Sequence, residues 1–146
     1  MEVTQFTYFQ QCGGIDCHPI PIEITYGLER IAMFLQNKES IWDLSWDKNT
    51  TYRDIWLDFE KDQCIYNFRE SNPENLRKLF NLYKEEAENL VSKDLTFPAL
   101  DFVLKCSHCF NLLDARGVIS VTDRAQYIEK IRNLAKEVAK SWVNKK

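Results

Sequence analysis

The sequence predicts an α+β fold, in which a small antiparallel sheet is followed by a bundle of about four helices. Apolar or aromatic residues alternate with polar ones in residues 1–11 and again in residues 22–26, as in strands. From Leu28 onward the apolar residues recur every three or four positions, which is typical of helices with one buried face. We therefore divide the chain into a sheet-bearing part, residues 1–48, and a helical part, residues 49–146.

The first element is a strand over residues 1–11, which are rich in β-branched and aromatic side chains. The turn-forming residues Cys12–Asp16 follow, and Pro19 and Pro21 then confine the chain to an extended conformation. Residues 22–26 form the second strand. We expect the two strands to pair antiparallel.

The second strand changes directly into a helix at Gly27. A helix that starts at the end of a strand leaves its first backbone N–H groups free, which favours an anion there. Arg30 lies in the first helical turn, where the helix dipole alone disfavours a cation. The arginine therefore indicates a function, with phosphate as its natural partner. A surface arginine beside an ordinary strand-to-helix joint is the alternative.

Capping residues and prolines mark the later helices, after a short helical turn near Trp42. The first of the four predicted helices runs from a capping box at Thr51 to about Phe68, and the second begins at Pro73 with Asn72 as its cap. The third runs from Pro98 to about Gly117, and the fourth begins after Ser120–Asp123. We expect three aromatic side chains of the first of these helices to pack in a core or an interface, namely Trp56, Phe59 and Tyr66.

The net charge of −3 excludes a chain that binds polyanions with its whole surface, but the charge is unevenly distributed. Residues 39–64 carry seven acidic and three basic side chains, whereas residues 123–146 carry three acidic and seven basic ones. The last helix is therefore either a solvated amphipathic helix or a surface for RNA or a protein partner. No apolar run has membrane-spanning length and no signal peptide is recognisable, so we expect a cytoplasmic protein.

The five cysteines follow no regular framework, which fits free thiols in a reducing compartment. Two short segments have the spacing of metal ligands, and together they allow a zinc site to be drawn. Its ligands would come from Cys12, Cys17, His18, Cys106, His108 and Cys109. Because the last three lie in a helical apolar segment, we expect buried free cysteines and no zinc.

Several stretches resemble known proteins. Ile24–Met33 resembles motif 3 of the class II aminoacyl-tRNA synthetases. Other stretches, in the same order along the chain, resemble the α subunits of bacterial glycyl-tRNA synthetases, and these are Glu2–Gln11, Gly13–Cys17, Tyr66–Phe68, Phe110–Gly117 and Ile119–Thr122. The resemblance runs nearly end to end. It implies that the sheet is a remnant of a class II catalytic domain and that the chain is the carboxy-terminal half of a subunit about twice as long, without motifs 1 and 2.

The resemblance implies a ligase that activates glycine with ATP to glycyl-adenylate and transfers it to tRNA(Gly), with Mg²⁺ bound to the polyphosphate. Arg30 matches the motif 3 arginine, which packs over the adenine and reaches the γ-phosphate. Gly27 would let the backbone turn at the ATP. Glu2 matches a metal-binding acid, and Mg²⁺ prefers such oxygen ligands.

Glycine offers only its ammonium and carboxylate for binding, so the site must also fill the space of a larger side chain. Five polar side chains on the two strands are candidates for the ammonium: Thr4, Gln5, Thr7, Glu23 and Thr25. Phe9 or Tyr26 could form the wall that rejects alanine. Ordinary polar residues of a sheet are the alternative for each of them.

The resemblance also implies partners, namely a separate β subunit that carries most tRNA recognition and a second α subunit in a heterotetramer. The basic last helix could face either the β subunit or RNA. We expect this chain to be inactive alone, because the arginine of motif 2 is absent from it. The alternative is a helical assembly or RNA-binding module without catalysis of its own.

Overall fold

A computed structural model describes residues 2–145, and these residues form an α+β fold, as predicted. The strands are β1 (Thr4–Tyr8), β2 (Gln11–Cys12), β3 (Ile15–Asp16) and β4 (Ile22–Tyr26). The helices are α1 (Leu28–Leu35), α2 (Tyr52–Ile65), α3 (Pro73–Ser92), α4 (Thr96–Ala115) and α5 (Val121–Asn144). A 3-10 turn at Ile41–Asp43 precedes α2, and a π-helical turn at Tyr66–Glu70 follows it.

The chain divides into two compact units that do not follow the sequence order strictly. The first unit contains residues 1–10 and 18–66, and the second contains residues 11–17 and 67–146. The first therefore holds β1, β4, α1 and α2, and the second holds the β2–β3 hairpin with α3, α4 and α5. The sequence-based boundary at residue 48 stays a prediction.

Strands β1 and β4 pair antiparallel, as predicted, but the first strand is shorter than expected. Its expected carboxy-terminal end, Gln11, instead belongs to β2, which pairs with β3 in a small hairpin. Gly13 and Gly14 form the turn with φ angles of +59° and +77°. Two consecutive positive φ angles are what a two-residue type I′ hairpin turn requires, and glycine adopts them without strain. The expected strand start at Met1 lies outside the described residues.

The second unit has a well-packed core between α3, α4 and α5. The buried apolar residues are Leu76, Phe80 and Ala87 from α3, Ala99, Val103, Cys106, Cys109, Phe110, Leu112 and Leu113 from α4, and Leu134 and Val138 from α5. Phe80 is fully buried, and its ring meets the Tyr127 ring edge-on at 4.6 Å between centroids. The apolar faces predicted for α3 and α5 therefore pack against α4.

Three helix boundaries differ from the sequence-based expectation. Helix α5 begins at Val121 rather than after Asp123, because Ser120 caps it and Asp123 already lies in its first turn. Helix α4 begins at Thr96, two residues before Pro98, because a proline in the first turn lacks only an N–H group that the helix leaves unpaired in any case. Helix α2 ends at Ile65 and continues into the π-helical turn rather than remaining α-helical to Phe68.

Helix α2 contributes no buried residue to either unit. Trp56 is 38% exposed and Phe59 is 52% exposed, and Tyr66, in the π-helical turn, is 45% exposed. The expectation is therefore wrong, for the described part of the chain, in so far as it placed these rings in a core, and their packing in an interface stays a prediction. The rings of Tyr52, Trp56 and Phe59 instead contact one another along the helix surface, with centroids 6.3 and 5.8 Å apart. Within residues 2–145 we find no helix that is long and apolar enough to cross a membrane.

Capping boxes start α2 and α5. At α5 the hydroxyl of Ser120 accepts a hydrogen bond from the backbone N–H of Asp123, while the Asp123 carboxylate accepts hydrogen bonds from the Ser120 hydroxyl at 2.8 Å and from its backbone N–H at 3.3 Å. These two bonds to the carboxylate lower the pKa of Asp123. Thr51 lowers the pKa of Asp54 in the same way at α2.

The capping box of α5 makes stability depend on pH in a predictable direction. Because the pKa of Asp123 is lower in the folded protein, its contribution is present above the unfolded value of about 3.9 and is lost as the pH falls through the folded value. We expect Asp123→Ala to lower the melting temperature at pH 7 and this deficit to shrink below about pH 4. Melting curves of both proteins between pH 2.5 and pH 7 measure it. A deficit that is constant with pH would contradict the assignment.

Candidate functional site

The β1–β4 ribbon separates polar from apolar side chains. Directly opposite residues of an antiparallel pair share a face, and here Gln5 lies opposite Thr25 and Thr7 lies opposite Glu23. The other face carries five apolar or aromatic side chains and one threonine: Thr4, Phe6, Tyr8, Ile22, Ile24 and Tyr26. Four of the five candidate glycine-binding residues therefore share one face, while Thr4 lies on the other.

The polar face contains a carboxylate held by a neighbouring hydroxyl. Thr25 Oγ1 donates a hydrogen bond of 2.5 Å to Glu23 Oε1, two positions away on the same strand. The Thr4 hydroxyl is used differently, since it donates to the backbone carbonyl of Thr25 at 3.2 Å. Glu23 is thus the only acid among the paired residues of the ribbon, and the bond from Thr25 fixes one of its oxygens.

Arg30 closes the end of the ribbon. Its Nη1 donates a hydrogen bond of 2.9 Å to the backbone carbonyl of Glu2, and the backbone N–H of Gly27 donates one of 2.9 Å to the carbonyl of Val3. These two bonds join the first turn of α1 to the chain just before β1. Among residues 2–145 Arg30 takes part in no ion pair, so its charge is not neutralised by a carboxylate there.

An exposed cavity of about 150 Å³ lies where the ribbon meets α1. Its lining consists of Glu2, Val3, Thr4, Gln5, Thr25, Tyr26, Gly27 and Arg30. Six of the eight site residues predicted from the sequence are among these. The other two, Thr7 and Glu23, lie farther along the same ribbon face as Gln5 and Thr25 and do not line the cavity.

The backbone of Gly27 does not explain why a glycine stands there. Its φ of −83° and ψ of 83° are accessible to other residues, so the expectation that glycine is needed for the backbone to turn is not supported by the geometry. A Cβ atom added at this position would lie 3.6 Å from Arg30 Cδ and 3.6 Å from the Val3 carbonyl oxygen. These are ordinary contacts, and both partners belong to residues that line the cavity. A side chain at position 27 would therefore occupy space in the cavity without straining the backbone.

The start of α1 has no side-chain cap. Gly27 is the N-cap residue and offers no hydrogen-bond acceptor beyond its carbonyl, so no side chain accepts from the first backbone N–H groups. The acid of this turn, Glu29, accepts a hydrogen bond from the Tyr52 hydroxyl at 3.2 Å. Burial and this neighbouring carboxylate raise the pKa of Tyr52. The helix end beside the cavity thus retains its partial positive charge.

The cysteines do not form a metal cluster in the described part of the chain. Cys106 and Cys109 are buried in α4, whereas Cys12 is exposed and Cys17 is half-buried near the β2–β3 hairpin. Within residues 2–145 no three His, Cys, Asp or Glu side chains are placed to share a metal ion. Cys106 Sγ instead lies 3.7 Å from the Phe80 carbonyl oxygen, to which it donates a hydrogen bond, and burial raises the pKa of its thiol to about 11.

The thiols should therefore differ sharply in reactivity. At pH 8 we expect iodoacetamide to label the exposed Cys12 and Cys64 rapidly, and Cys106 and Cys109 only after unfolding, because burial raises the pKa of both and excludes the reagent. Mass spectrometry of peptides, with and without guanidinium chloride, measures the difference. Equal labelling rates in the native protein would contradict the packing of α4.

Two features of the site could not be inferred from the residue pattern. The bond from Arg30 to the Glu2 carbonyl involves a backbone acceptor, which has no signature in the sequence. Val3 lines the cavity, but many other residues could occupy this extended position, so the type of side chain gives no sign of a site.

Comparison with models of protein families places the chain among the aminoacyl-tRNA synthetases. The matching model, described as glycyl-tRNA synthetase alpha subunit, covers residues 1–146, and the chain belongs to that family.

Proposed function

We propose that the chain is part of a class II glycine–tRNA ligase and carries one wall of its ATP and glycine site. Glycine and ATP would give glycyl-adenylate and pyrophosphate, and the adenylate would then be transferred to tRNA(Gly). The observation that carries the proposal is the cavity shared by Arg30, Gly27 and the polar strand residues Gln5 and Thr25, in a chain of this family.

Arg30 is the residue that we assign to ATP. Its Nη1 donates a hydrogen bond to the Glu2 carbonyl, which helps to orient the guanidinium, and no partner within residues 2–145 uses its other N–H groups, so they are available to a ligand. A planar cation can stack on a base and also bind phosphate, which lysine cannot do equally well. The uncapped start of α1 adds partial positive charge at the same place. Both features stabilise the negative charge that develops on phosphate oxygens during adenylate formation.

Glu2 fits a role as one protein ligand of Mg²⁺. It lines the cavity as an exposed carboxylate, and no cluster of three or more acidic, histidine or cysteine ligands surrounds it within residues 2–145. A single carboxylate suits Mg²⁺ in nucleotide sites, because the ion keeps several waters and takes its other ligands from substrate phosphates. When bound, the ion would neutralise part of the negative charge of the polyphosphate.

The polar ribbon face is the surface that we assign to glycine. Glu23 offers a carboxylate for the ammonium, with one oxygen fixed by Thr25, and Gln5 and Thr7 add polar groups on the same face. Binding of the ammonium there would leave the carboxylate of glycine free to attack the α-phosphate, so the ribbon acts by positioning. The ladder continues from Phe9 to Pro21 through a 3.0 Å bond, which brings the Phe9 ring to this face as a candidate wall against larger amino acids.

The remaining assignments follow from the family. We propose a separate β subunit, tRNA(Gly) and a second α subunit as partners in a cytoplasmic heterotetramer. The basic residues of α5 would face the β subunit or the tRNA, since three acids and seven bases lie between residues 123 and 146.

The same charge on α5 favours a second candidate, a helical assembly or RNA-binding module without catalysis of its own. Binding measurements with the isolated chain distinguish the two. A module should bind tRNA(Gly) or the β subunit with nearly the affinity of the complete α subunit. Loss of both affinities would count against the module.

Replacement of Arg30 tests the ligase. In the complete α subunit assembled with its partner we expect Arg30→Ala to reduce glycine-dependent ATP–pyrophosphate exchange by tens-fold or more, as for other lost electrostatic clamps worth about 10²–10³ in rate. Arg30→Lys keeps the charge and a donor for the Glu2 carbonyl but loses the planar guanidinium, and it should recover only part of the exchange.

Arg53→Ala is the matched control. Arg53 is an exposed arginine of the same unit, paired with Asp43 at 3.4 Å on the surface, and it does not line the cavity. Its loss should leave exchange within about twofold, because surface ion pairs contribute little. Full exchange activity in Arg30→Ala would refute the assignment of Arg30.

Gly27 and Gly117 offer a second comparison. Gly27→Ala should leave the melting temperature nearly unchanged but raise the KM for ATP, because its Cβ enters the cavity without strain. Gly117→Ala should show the reverse pattern. Its φ is +64° and no atom lies within 4 Å of the added Cβ, so the cost is backbone strain of about 1–2 kcal/mol. A stability loss in Gly27→Ala with an unchanged KM would show that the space is not used by ATP.

A further inference from the structure

The first unit carries an exposed groove lined with aromatic rings, which we call the aromatic groove. The lining of one cavity, of about 340 Å³, includes Trp46, Tyr52 and Trp56, and that of a second, of about 350 Å³, includes Trp42 with the same Tyr52 and Trp56. Because Tyr52 and Trp56 line both cavities, the two form one continuous groove along α1, the 3-10 turn and α2. All of its residues lie within residues 18–66, and none of them lines the cavity of the candidate site.

The groove is formed before any ligand binds. Leu44, which is 3% exposed, lies in its lining. The side chain of Gln36, just after α1, donates a hydrogen bond of 3.1 Å to the Ser45 carbonyl and accepts one of 2.8 Å from the Ser45 N–H. At the start of α2 the backbone N–H of Tyr52 donates one of 2.8 Å to the Leu44 carbonyl. These bonds fix the chain between the two helices, so a ligand would meet a surface that needs little ordering.

Two carboxylates give the groove a negative rim. Glu29 lines the first cavity and Glu60 lines the second, and we call them the rim carboxylates. Within the described part of the chain no lysine, arginine or histidine lines either cavity. Burial raises the pKa of Tyr52 most, and both rim carboxylates raise it further, so their negative potential reaches a residue that lines both cavities.

The bases in the same part of the sequence do not neutralise the rim carboxylates. Arg53 pairs with Asp43 at 3.4 Å and Lys61 pairs with Asp58 at 3.1 Å, and none of these four residues lines the groove. Among residues 2–145 the rim carboxylates take part in no ion pair. Their charge is therefore available to a cationic partner.

The shape and the charge of the groove favour a protein partner. Trp46 is 63% exposed and Trp56 is 38% exposed, so the groove is too open to enclose most of the surface of a small ligand. Its acidic rim repels the phosphates of RNA. Aromatic side chains are enriched at the centres of protein interfaces, and amphipathic helices commonly bind in apolar grooves.

We propose that the aromatic groove binds a helix of a partner protein that carries an apolar stripe flanked by lysine or arginine. The apolar side chains of the stripe pack against the rings of Trp42, Tyr52 and Trp56. A flanking cation lies near a rim carboxylate and over the face of a ring, where both attract it. This binding does not depend on the proposed catalysis.

The probe for this surface is a fluorescently labelled peptide of about 18 residues, made only of leucine and lysine, whose leucines form one stripe along a helix of about five turns. Fluorescence anisotropy with the full chain measures its affinity. One control peptide has glutamate in place of lysine, and another has the same leucines and lysines in scrambled order. We expect the first peptide to bind and both controls to bind much more weakly. Equal affinity for the scrambled peptide would overturn the proposal.

Two aromatic variants of α2 locate the binding. Trp56→Ala removes a ring that lines both cavities, whereas Phe59→Ala removes an exposed ring of the same helix that lines neither. We expect Trp56→Ala to weaken binding of the leucine–lysine peptide by about thirtyfold or more and Phe59→Ala to leave it within about twofold. Equal effects of the two variants would show that the peptide does not bind in the groove.

Two charge variants of α2 keep the test valid if Trp56→Ala does not fold. Glu60→Lys and Asp58→Lys make the same change of charge at exposed positions, but only Glu60 lines the groove. We expect Glu60→Lys to weaken binding by about fivefold or more relative to Asp58→Lys at low salt, and this difference to vanish near 1 M salt, where the Debye length is about 3 Å. Equal affinities of the two variants at low salt would contradict the role of the rim.

Other occupants of the groove would give different results. If a second copy of the chain filled it, the chain alone would sediment as a dimer and Trp56→Ala as a monomer. If RNA filled it, single-stranded RNA would bind the chain and Trp56→Ala would abolish that binding. Either result would overturn the assignment to a basic helix.

Discussion

The register of the β1–β4 pair is the constraint on which the candidate site depends. Because side chains alternate between faces, the pairing of Gln5 with Thr25 also places Thr7 with Glu23 and collects the apolar side chains on the opposite face. A slip of one residue on one strand would exchange that strand's faces and separate the polar groups. The bond between the Gly27 N–H and the Val3 carbonyl extends the same register to the start of α1. In this arrangement the Glu2 carbonyl accepts a hydrogen bond of 2.9 Å from Arg30 Nη1.

The two units are stabilised in different ways. The helical unit buries a continuous apolar core between three helices, whereas the ribbon has no residue that is buried. Hydrogen bonds from Arg30, Gly27 and Thr4 to backbone carbonyls hold the site instead. One such hydrogen bond contributes about 0.5–1.5 kcal/mol to the free energy of folding. In a ribbon without buried side chains, each bond is therefore important for keeping the strands in place. Local opening should therefore be easier in the ribbon than in the bundle.

The sequence predicted the fold class and the starts of α1, α2 and α3, which depend on local signals, and it predicted the pairing of β1 with β4 from their matching alternation. Asn72 before Pro73 and the Thr51–Asp54 box determine helix starts through neighbouring residues alone, and the structure has both. The exposure of Trp56 and the second hairpin at Gln11 were missed, since burial and pairing depend on residues far apart in the chain. In the site, the resemblance to the synthetase family, together with side-chain chemistry, identified the candidate residues. They could not identify the backbone carbonyls that hold Arg30.

The four glycines are suited to their positions for different structural reasons. Gly14 and Gly117 have positive φ angles and open space around them, so conformation alone explains them. Gly27 has an ordinary backbone and lines a cavity, so only space explains it. Gly13 combines a positive φ with close contact to a helix backbone, and it is the one glycine at which both reasons act together. Space therefore matters at two of the four glycines, and it acts at Gly27 through the lining of a cavity and at Gly13 through the approach of a hairpin to a helix within one unit.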